Sequence, residues 1–316
     1  MSDVNTMRAI GQDVLGGPEV LKEVRLERPE PRPNEVLVRV RAAGVNPTDW
    51  KHRATGGFLG EPPFVLGWDV SGEVAATGVG VAAFRPGDEV FGMLPYPFGH
   101  GSHAEYVIAP VRALWHKPAS VDHTQAGALP LVSLTAWQAL TEQADVRPGQ
   151  RVLIHAAAGG VGHVAVQIAK ARGAYVIGTA SAGKHDFLRE IGVDEPVDYR
   201  STDVTETVRD VDVVLDTLGG ETSLRSLRTL RPGGVLVSIV PMGSPELFDE
   251  AERLGVRAVR MLVDADRAGM RSVAELVESG KLRATIAGTY QLADAAKAHE
   301  QGETGRTTGK LVLLVD

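Results

Sequence analysis

Between residues 151 and 180 the chain reads RVLIHAAAGGVGHVAVQIAKARGAYVIGTA: an apolar run, a glycine turn, an amphipathic stretch and a second apolar run. Few folds accept that order. Val161, Val164, Ala165, Ile168 and Ala169 recur at i, i+3, i+4, i+7 and i+8, which makes one apolar helix face. Gly173 supplies a helix stop before AYVIGTA begins the next strand. The segment is a complete βαβ unit.

The turn matches the dinucleotide fingerprint G-x-G-x-x-G incompletely, with Ala157, Gly159 and Gly162 at its glycine positions. Gly159 would let the backbone approach a pyrophosphate, and Gly162 would let helix and strand pack closely. The N–H groups around Gly160 and Val161 would face the anion at the positive helix end. Ala157 can replace glycine if the backbone there avoids positive φ. A structural tight turn is the alternative; the βαβ setting favours the dinucleotide. An acidic residue accepting from the adenosine ribose is expected about 20 residues on. Here the second strand ends Thr179-Ala180-Ser181, and Lys184 follows. A 2′-phosphate would meet a hydroxyl and an ammonium in place of a repelling carboxylate, which favours NADPH; a merely solvated Lys184 is the alternative.

Around this unit the texture of the chain changes once. The first 120 residues hold short β-like runs (EVLVRVRAAGV, VSGEVAATG, DEVFGML, AEYVIAP) divided by Pro/Gly turns. After Leu129-Pro130 comes a helical stretch through Thr135, Leu140 and Gln143. Six candidate strands then alternate with helices: RVLIHA, AYVIGTA, PVDY, DVVLDT, GVLVSIV and VRAVRMLV. Near-continuous apolar runs of this kind are buried on both faces of a parallel sheet, so the class is α/β with a doubly wound domain.

Composition excludes several roles. A chain of 316 residues, 43% apolar, can bury a sizeable core in two domains. Its net charge of −7 repels phosphate backbones and anionic head groups, so neither nucleic acid nor a membrane surface is an expected partner. Arg225, Arg228 and Arg231 recur at helical spacing and read as a solvated face. The opening MSDVNTMRAIGQ has no apolar core of a leader, and no apolar run reaches bilayer length, which gives a cytoplasmic expectation. There is no cysteine, hence no thiolate zinc site and no cysteine nucleophile. His100 and His103 form H-x-x-H, two imidazoles without a recognisable third ligand, and read as a loop lining a substrate mouth.

Ordered matches along the chain, GGPEVL (16–21), AAGVNPTDWK (42–51), GWDVSGEV (67–74), PGDEVFG (86–92), HAEYV (103–107), the AAGGVG turn and TTGKLVL (307–313), resemble zinc-independent medium-chain dehydrogenases/reductases of the quinone oxidoreductase, zeta-crystallin-like type. The resemblance implies a GroES-like β-barrel domain, 1–121 completed by 285–316, and a Rossmann domain, 122–284, with NADPH and substrate between them. It implies that Gly159, Gly160 and Val161 face the pyrophosphate, and that Ser181, Lys184 and Tyr199 surround the 2′-phosphate and adenosine. Asn46 resembles the residue beside the nicotinamide, and Arg306 one in a C-terminal loop near the cofactor. The alternative for Asn46 and Asp49 is an Asx turn and helix cap. A homodimer paired along GVRAVRMLV is also implied.

Zinc-dependent relatives carry a catalytic Cys and then Gly-His-Glu where this chain has Asn46 and Gly67-Trp68-Asp69, so no metal is expected. Without a metal to acidify an alcohol, the expected substrate is an activated electrophile, a quinone or an α,β-unsaturated carbonyl. Donors for the oxygen that gains charge are Lys51, where many relatives carry Tyr, and Thr135 in SLTAW. Each has a structural alternative, a solvated lysine and a hydroxyl bonded to its own helix. NP-x-DWK also occurs in enoyl-thioester reductases of this superfamily, and a protein that binds NADPH without turnover is the remaining reading.

Overall fold

The computed structural model describes residues 5–240 and 245–316; the first four residues of MSDVNTMRAIGQ lie outside them. The chain divides into two compact units, Met1–Leu134 with Asp264–Asp316, and Thr135–Val263. Relative to the expected boundaries, 122–134 and 264–284 belong with the first unit. Gln125 shows why: its side-chain amide donates to the Ala284 carbonyl at 2.9 Å and accepts from the Ala284 N–H at 3.1 Å.

In the first unit, β1 (Thr6–Gln12), β2 (Lys22–Glu27), β3 (Glu35–Val45), β4 (Phe64–Val65), β5 (Asp69–Thr77), β6 (Glu89–Met93), β7 (Tyr106–Pro110) and β8 (Leu114–His116) come from the N-terminal part. They form a three-stranded sheet, β2-β1-β4, and most of a seven-stranded one. The runs read from sequence as strands are β3, β5, β6 and β7. Alternation along β3 buries Val36, Val38 and Val40 in one core with Val70, Val90 and Trp68.

The second unit holds β9 (Arg151–Ile154), β10 (Tyr175–Ala180), β11 (Glu195–Asp198), β12 (Val211–Asp216), β13 (Leu230–Ser238) and β14 (Arg257–Arg260). All pair in parallel, in the order β11-β10-β9-β12-β13-β14, the doubly wound order in which the switch point falls beside the first strand. The six apolar runs are the six strands. Val152, Leu153 and Ile154 are wholly buried, as are Val214 and Leu215 of β12. The helix Gly160–Ala171 buries Val164, Ala165, Ile168 and Ala169, and Gly173 stops the segment at φ +79°.

β15 (Ile286–Gln291) and β16 (Lys310–Leu314) return to the first unit. β16 lies between β15 and β3, pairing antiparallel with β3 from Leu311 opposite Val45 to Leu314 opposite Ala42. Its Leu311 and Leu313 join the barrel core.

Candidate functional site

In the second unit the glycine turn follows β9. A side-chain carbon on Gly162 would lie 2.3 Å from the Ala156 carbonyl oxygen and 2.7 Å from the Ala157 Cα, so helix and strand approach too closely for any other residue. Gly159 is extended and caps the helix, and the first-turn N–H groups of Gly160 and Val161 have no intrahelical acceptor. Ala157 is not left-handed; that conformation falls one residue earlier, on Ala156 at φ +47°. Such a residue costs about 1–3 kcal/mol and needs external restraint. Thr179 provides it, accepting the Ala156 N–H on its hydroxyl at 3.1 Å and the Ala157 N–H on its carbonyl at 2.9 Å. Behind it, His155 Nε2 donates to Ser226 Oγ at 2.8 Å, since the Ser226 hydroxyl hydrogen goes to the Thr222 carbonyl at 2.6 Å. Burial pushes the His155 imidazole down, keeping it neutral.

The neighbouring strand ends carry the residues expected at the 2′-position. β10 stops at Ala180, opposite Asp198 of β11, so Ser181 and Tyr199 follow adjacent strands. Lys184 is half-buried; burial lowers its ammonium, and the Tyr199 phenol and Arg200 guanidinium are close enough to act on it. Arg200 stacks over the exposed Tyr199 ring at 5.8 Å and was not singled out from sequence; the signal available was its place directly after the second strand end. No carboxylate ends β10.

In the first unit the helix Pro47–Thr55 starts from a buried polar cluster. Asp49 accepts the Asn46 backbone N–H at 2.6 Å and so caps the helix. The Asn46 side chain does something else: its amide nitrogen donates to Asp69 Oδ2 at 2.8 Å, and its oxygen accepts from the Lys310 ammonium. Lys310 also donates to the Val45 carbonyl at 2.9 Å and lies 3.4 Å from Asp69 Oδ2, while Asp69 Oδ1 accepts the Leu131 N–H at 2.6 Å. Asn46, Asp49 and Asp69 are fully buried and Lys310 nearly so. Burial opposes both charges of the ion pair, raising Asp69 and lowering Lys310. One ammonium cannot neutralise two buried carboxylates. Asp69 has three donors, whereas Asp49 is pushed up to about 7, chiefly by burial.

Two families match the sequence: the alcohol dehydrogenase GroES-like domain over residues 32–119 and the zinc-binding dehydrogenase over 191–313. A Mus musculus protein named NAD(P)H oxidoreductase RTN4IP1, mitochondrial, is 34% identical, over 90% of this chain and 82% of that one. The quinone oxidoreductase of Coxiella burnetii has the same fold, with a TM-score of 0.93 and 38% identity over 98% of this chain and 100% of that one. The chain belongs to the medium-chain dehydrogenase/reductase family, quinone oxidoreductase type. A further member, Escherichia coli quinone oxidoreductase solved in complex with NADPH, is 29% identical with a TM-score of 0.89, covering 97% of this chain and 99% of that one. This medium-chain reductase is therefore a nicotinamide-dependent, NAD(P)H-type oxidoreductase. Among its described residues no helix is long and apolar enough to cross a membrane.

The remaining expected site residues lie on separate elements. Lys51 is exposed on the helix Pro47–Thr55, next to the buried His52 and Arg53. Thr135 is buried in the helix Pro130–Trp137, and Arg306 is exposed on the loop before β16. The H-x-x-H separates. His100 Nδ1 donates to the Val65 carbonyl at 2.6 Å, while His103 is wholly buried, its imidazole pushed down to about 3, and lines no surface.

A pH test follows from Asp49. Its folded pKa of about 7 lies above its ordinary value of 3.8, so the folded chain holds the proton more tightly. The stability this contributes is present below about pH 4 and lost as pH rises through about 7. Compared with Asp49→Asn, which keeps the capping oxygen, the wild-type urea midpoint should therefore fall across that window. Parallel profiles for the two chains would remove the assignment.

Proposed function

We propose that this chain is an NADPH-dependent reductase that passes hydride to a quinone or an α,β-unsaturated carbonyl without a metal. The observation that carries the cofactor choice is the end of β10, where Ala180-Ser181 stands in place of a carboxylate and Lys184, Tyr199 and Arg200 gather. Gly160 and Val161 would hold the pyrophosphate on the unpaired N–H groups of the first helical turn, and Gly159, whose own N–H donates to the Ala156 carbonyl at 2.8 Å, would let it approach the backbone. When bound, the reduced nicotinamide supplies two electrons with a hydrogen to the acceptor carbon and ends oxidised, and the acceptor oxygen takes a proton from solvent.

Metal-free chemistry is supported by the residues at the positions where zinc-dependent relatives carry their ligands. Trp68 has no lone pair to give, and its indole N–H donates to the Pro97 carbonyl at 3.1 Å. Asn46 and Asp69 are committed to each other and to Lys310. These residues do not fit a zinc ion.

Within this reading, Lys51 and Thr135 serve the acceptor oxygen and Arg306 the cofactor. Asn46, held by Asp69 and Lys310, sets the start of the helix that carries Lys51. Turnover of quinones, enones and enoyl thioesters under NADPH separates this reading from the thioester-reductase and non-catalytic ones. For the cofactor, Lys184→Ala should weaken NADPH by about 1.5–3 kcal/mol and leave NADH unchanged, measured by fluorescence titration. Equal losses would remove the 2′-phosphate contact.

We also propose a two-fold assembly through β14, the outer strand of the parallel sheet, beside the half-exposed Leu262. An unpaired strand edge needs cover, and a second copy supplies it. Light scattering that shows only monomer at micromolar concentration would exclude it.

A further inference from the structure

The helix Pro47–Thr55 carries a second polar chain, separate from the bonds that Asn46 and Asp49 make. Thr48 Oγ1 lies 3.0 Å from His52 Nδ1 and 3.1 Å from Tyr96 Oη, and His52 Nδ1 lies 2.8 Å from the Thr48 carbonyl oxygen. The hydrogens can be placed by elimination. A carbonyl oxygen only accepts, so Nδ1 bears the imidazole hydrogen and shares it between the Thr48 carbonyl and hydroxyl oxygens. The Thr48 hydroxyl, accepting from His52, donates its own hydrogen to Tyr96 Oη. Tyr96 thus accepts through its oxygen, and its own O–H hydrogen has no acceptor among the described residues.

Protonation agrees with this direction. Burial lowers the His52 imidazole, so it stays neutral at pH 7, and burial together with the charge of Asp49 raises the Tyr96 phenol, so it keeps its proton. The phenol is set among rings: Trp68 at 5.4 Å between centroids, and His52 and Phe58 edge-on at 6.1 Å each. Phe58, packed edge-on against it, is 48% exposed, and Phe98, two residues further along the chain, is 74% exposed. Apolar rings open to solvent around one unspent hydrogen-bond donor suit a flat conjugated molecule with an oxygen at its rim.

We propose that Tyr96 is a catalytic residue whose free hydroxyl donates to the acceptor oxygen on which negative charge develops, that Thr48 and His52 position it, and that Phe58 and Phe98 hold the conjugated plane. The inference rests on the reductase reading above. A phenol that already accepts a hydrogen bond is a better donor, since successive bonds polarise one another. A donor aimed at developing charge is worth about 10²–10³ in rate.

The test uses the 316-residue chain with NADPH and either p-benzoquinone or cyclohexenone. Tyr96→Phe keeps the ring and its packing and removes only the hydroxyl. Single-turnover oxidation of NADPH should slow by about 10²-fold while NADPH affinity is unchanged. Thr48→Val should slow it by about tenfold, and Thr48→Ser should restore it, which a purely structural threonine would not require. A Tyr96→Phe rate within about threefold of wild type overturns the proposal. Binding of p-nitrophenolate, an oxyanion probe, to the NADP⁺-saturated protein needs no turnover and separates the two readings. If wild type reduces no acceptor, the reductase reading fails alone, and a tenfold loss of nitrophenolate affinity in Tyr96→Phe still supports the donor. An affinity that Tyr96→Phe leaves unchanged, or no binding by wild type, overturns it.

Discussion

Lys310→Met is expected to destabilise the first unit by about 3–5 kcal/mol, the cost of leaving a buried charge without its partner. Methionine nearly fills the lysine stem, so packing changes little and the loss is electrostatic. It strands the Asp69 carboxylate, which is wholly buried, and the oxygen of Asn46. Urea unfolding followed by tryptophan fluorescence reports mainly on this unit, because Trp50, Trp68 and Trp115 lie in it and the fourth tryptophan, Trp137, lies in the second. Adding Asp69→Asn should recover part of the loss, since the stranded charge is then gone while acceptance from the Leu131 N–H can persist. A single variant within about 1 kcal/mol of wild type would show that the cluster is hydrated or relaxes, contrary to the burial described.

Gly162→Val should be as damaging to the second unit. The new carbon would meet the Ala156 carbonyl oxygen at 2.3 Å and the Ala157 Cα at 2.7 Å, both of them backbone, so no side chain can rotate away. Forcing helix and strand apart costs about 3 kcal/mol or more, at the upper end of overpacking. It also displaces the turn whose N–H groups would face the pyrophosphate, so NADPH affinity should fall by about 10²-fold or more. Gly183→Ala is the control for stability, because its added carbon meets nothing within 4 Å. Near-equal unfolding midpoints for the two variants would mean that the close approach at Gly162 does not restrain the turn.

The parallel sheet was legible because burial on both faces writes itself into contiguous apolar runs, and RVLIHA, DVVLDT and GVLVSIV became β9, β12 and β13. The helix after the glycine turn was legible from its one apolar face. What stayed hidden depends on partners far apart in sequence. Asn46 does cap the helix, the alternative its place before Pro47 offered, but nothing local shows that its side chain also binds Asp69 and Lys310, the latter 264 residues away. Tyr96 and Thr48 are 48 residues apart, and no periodicity connects them. Ala156 gave no sign of a left-handed backbone, since alanine rarely adopts one and the restraint comes from Thr179 on the next strand. The unit boundary moved for the same reason: Gln125 pairs with Ala284, across 159 residues.

The interior position of β16 also governs the order in which the chain can fold as it is made. Residues 135–263 form their unit from one uninterrupted stretch, so every strand of the parallel sheet has left the ribosome before β16 is synthesised. The first 134 residues emerge earlier but lack both the strand that pairs with β3 from Val45 to Ala42 and the ammonium that neutralises Asp69. Domains completed from contiguous sequence can fold during synthesis. Here the later-made half has that option, while the nascent barrel must hold an open strand edge and an uncompensated carboxylate until Lys310 to Leu314 arrive.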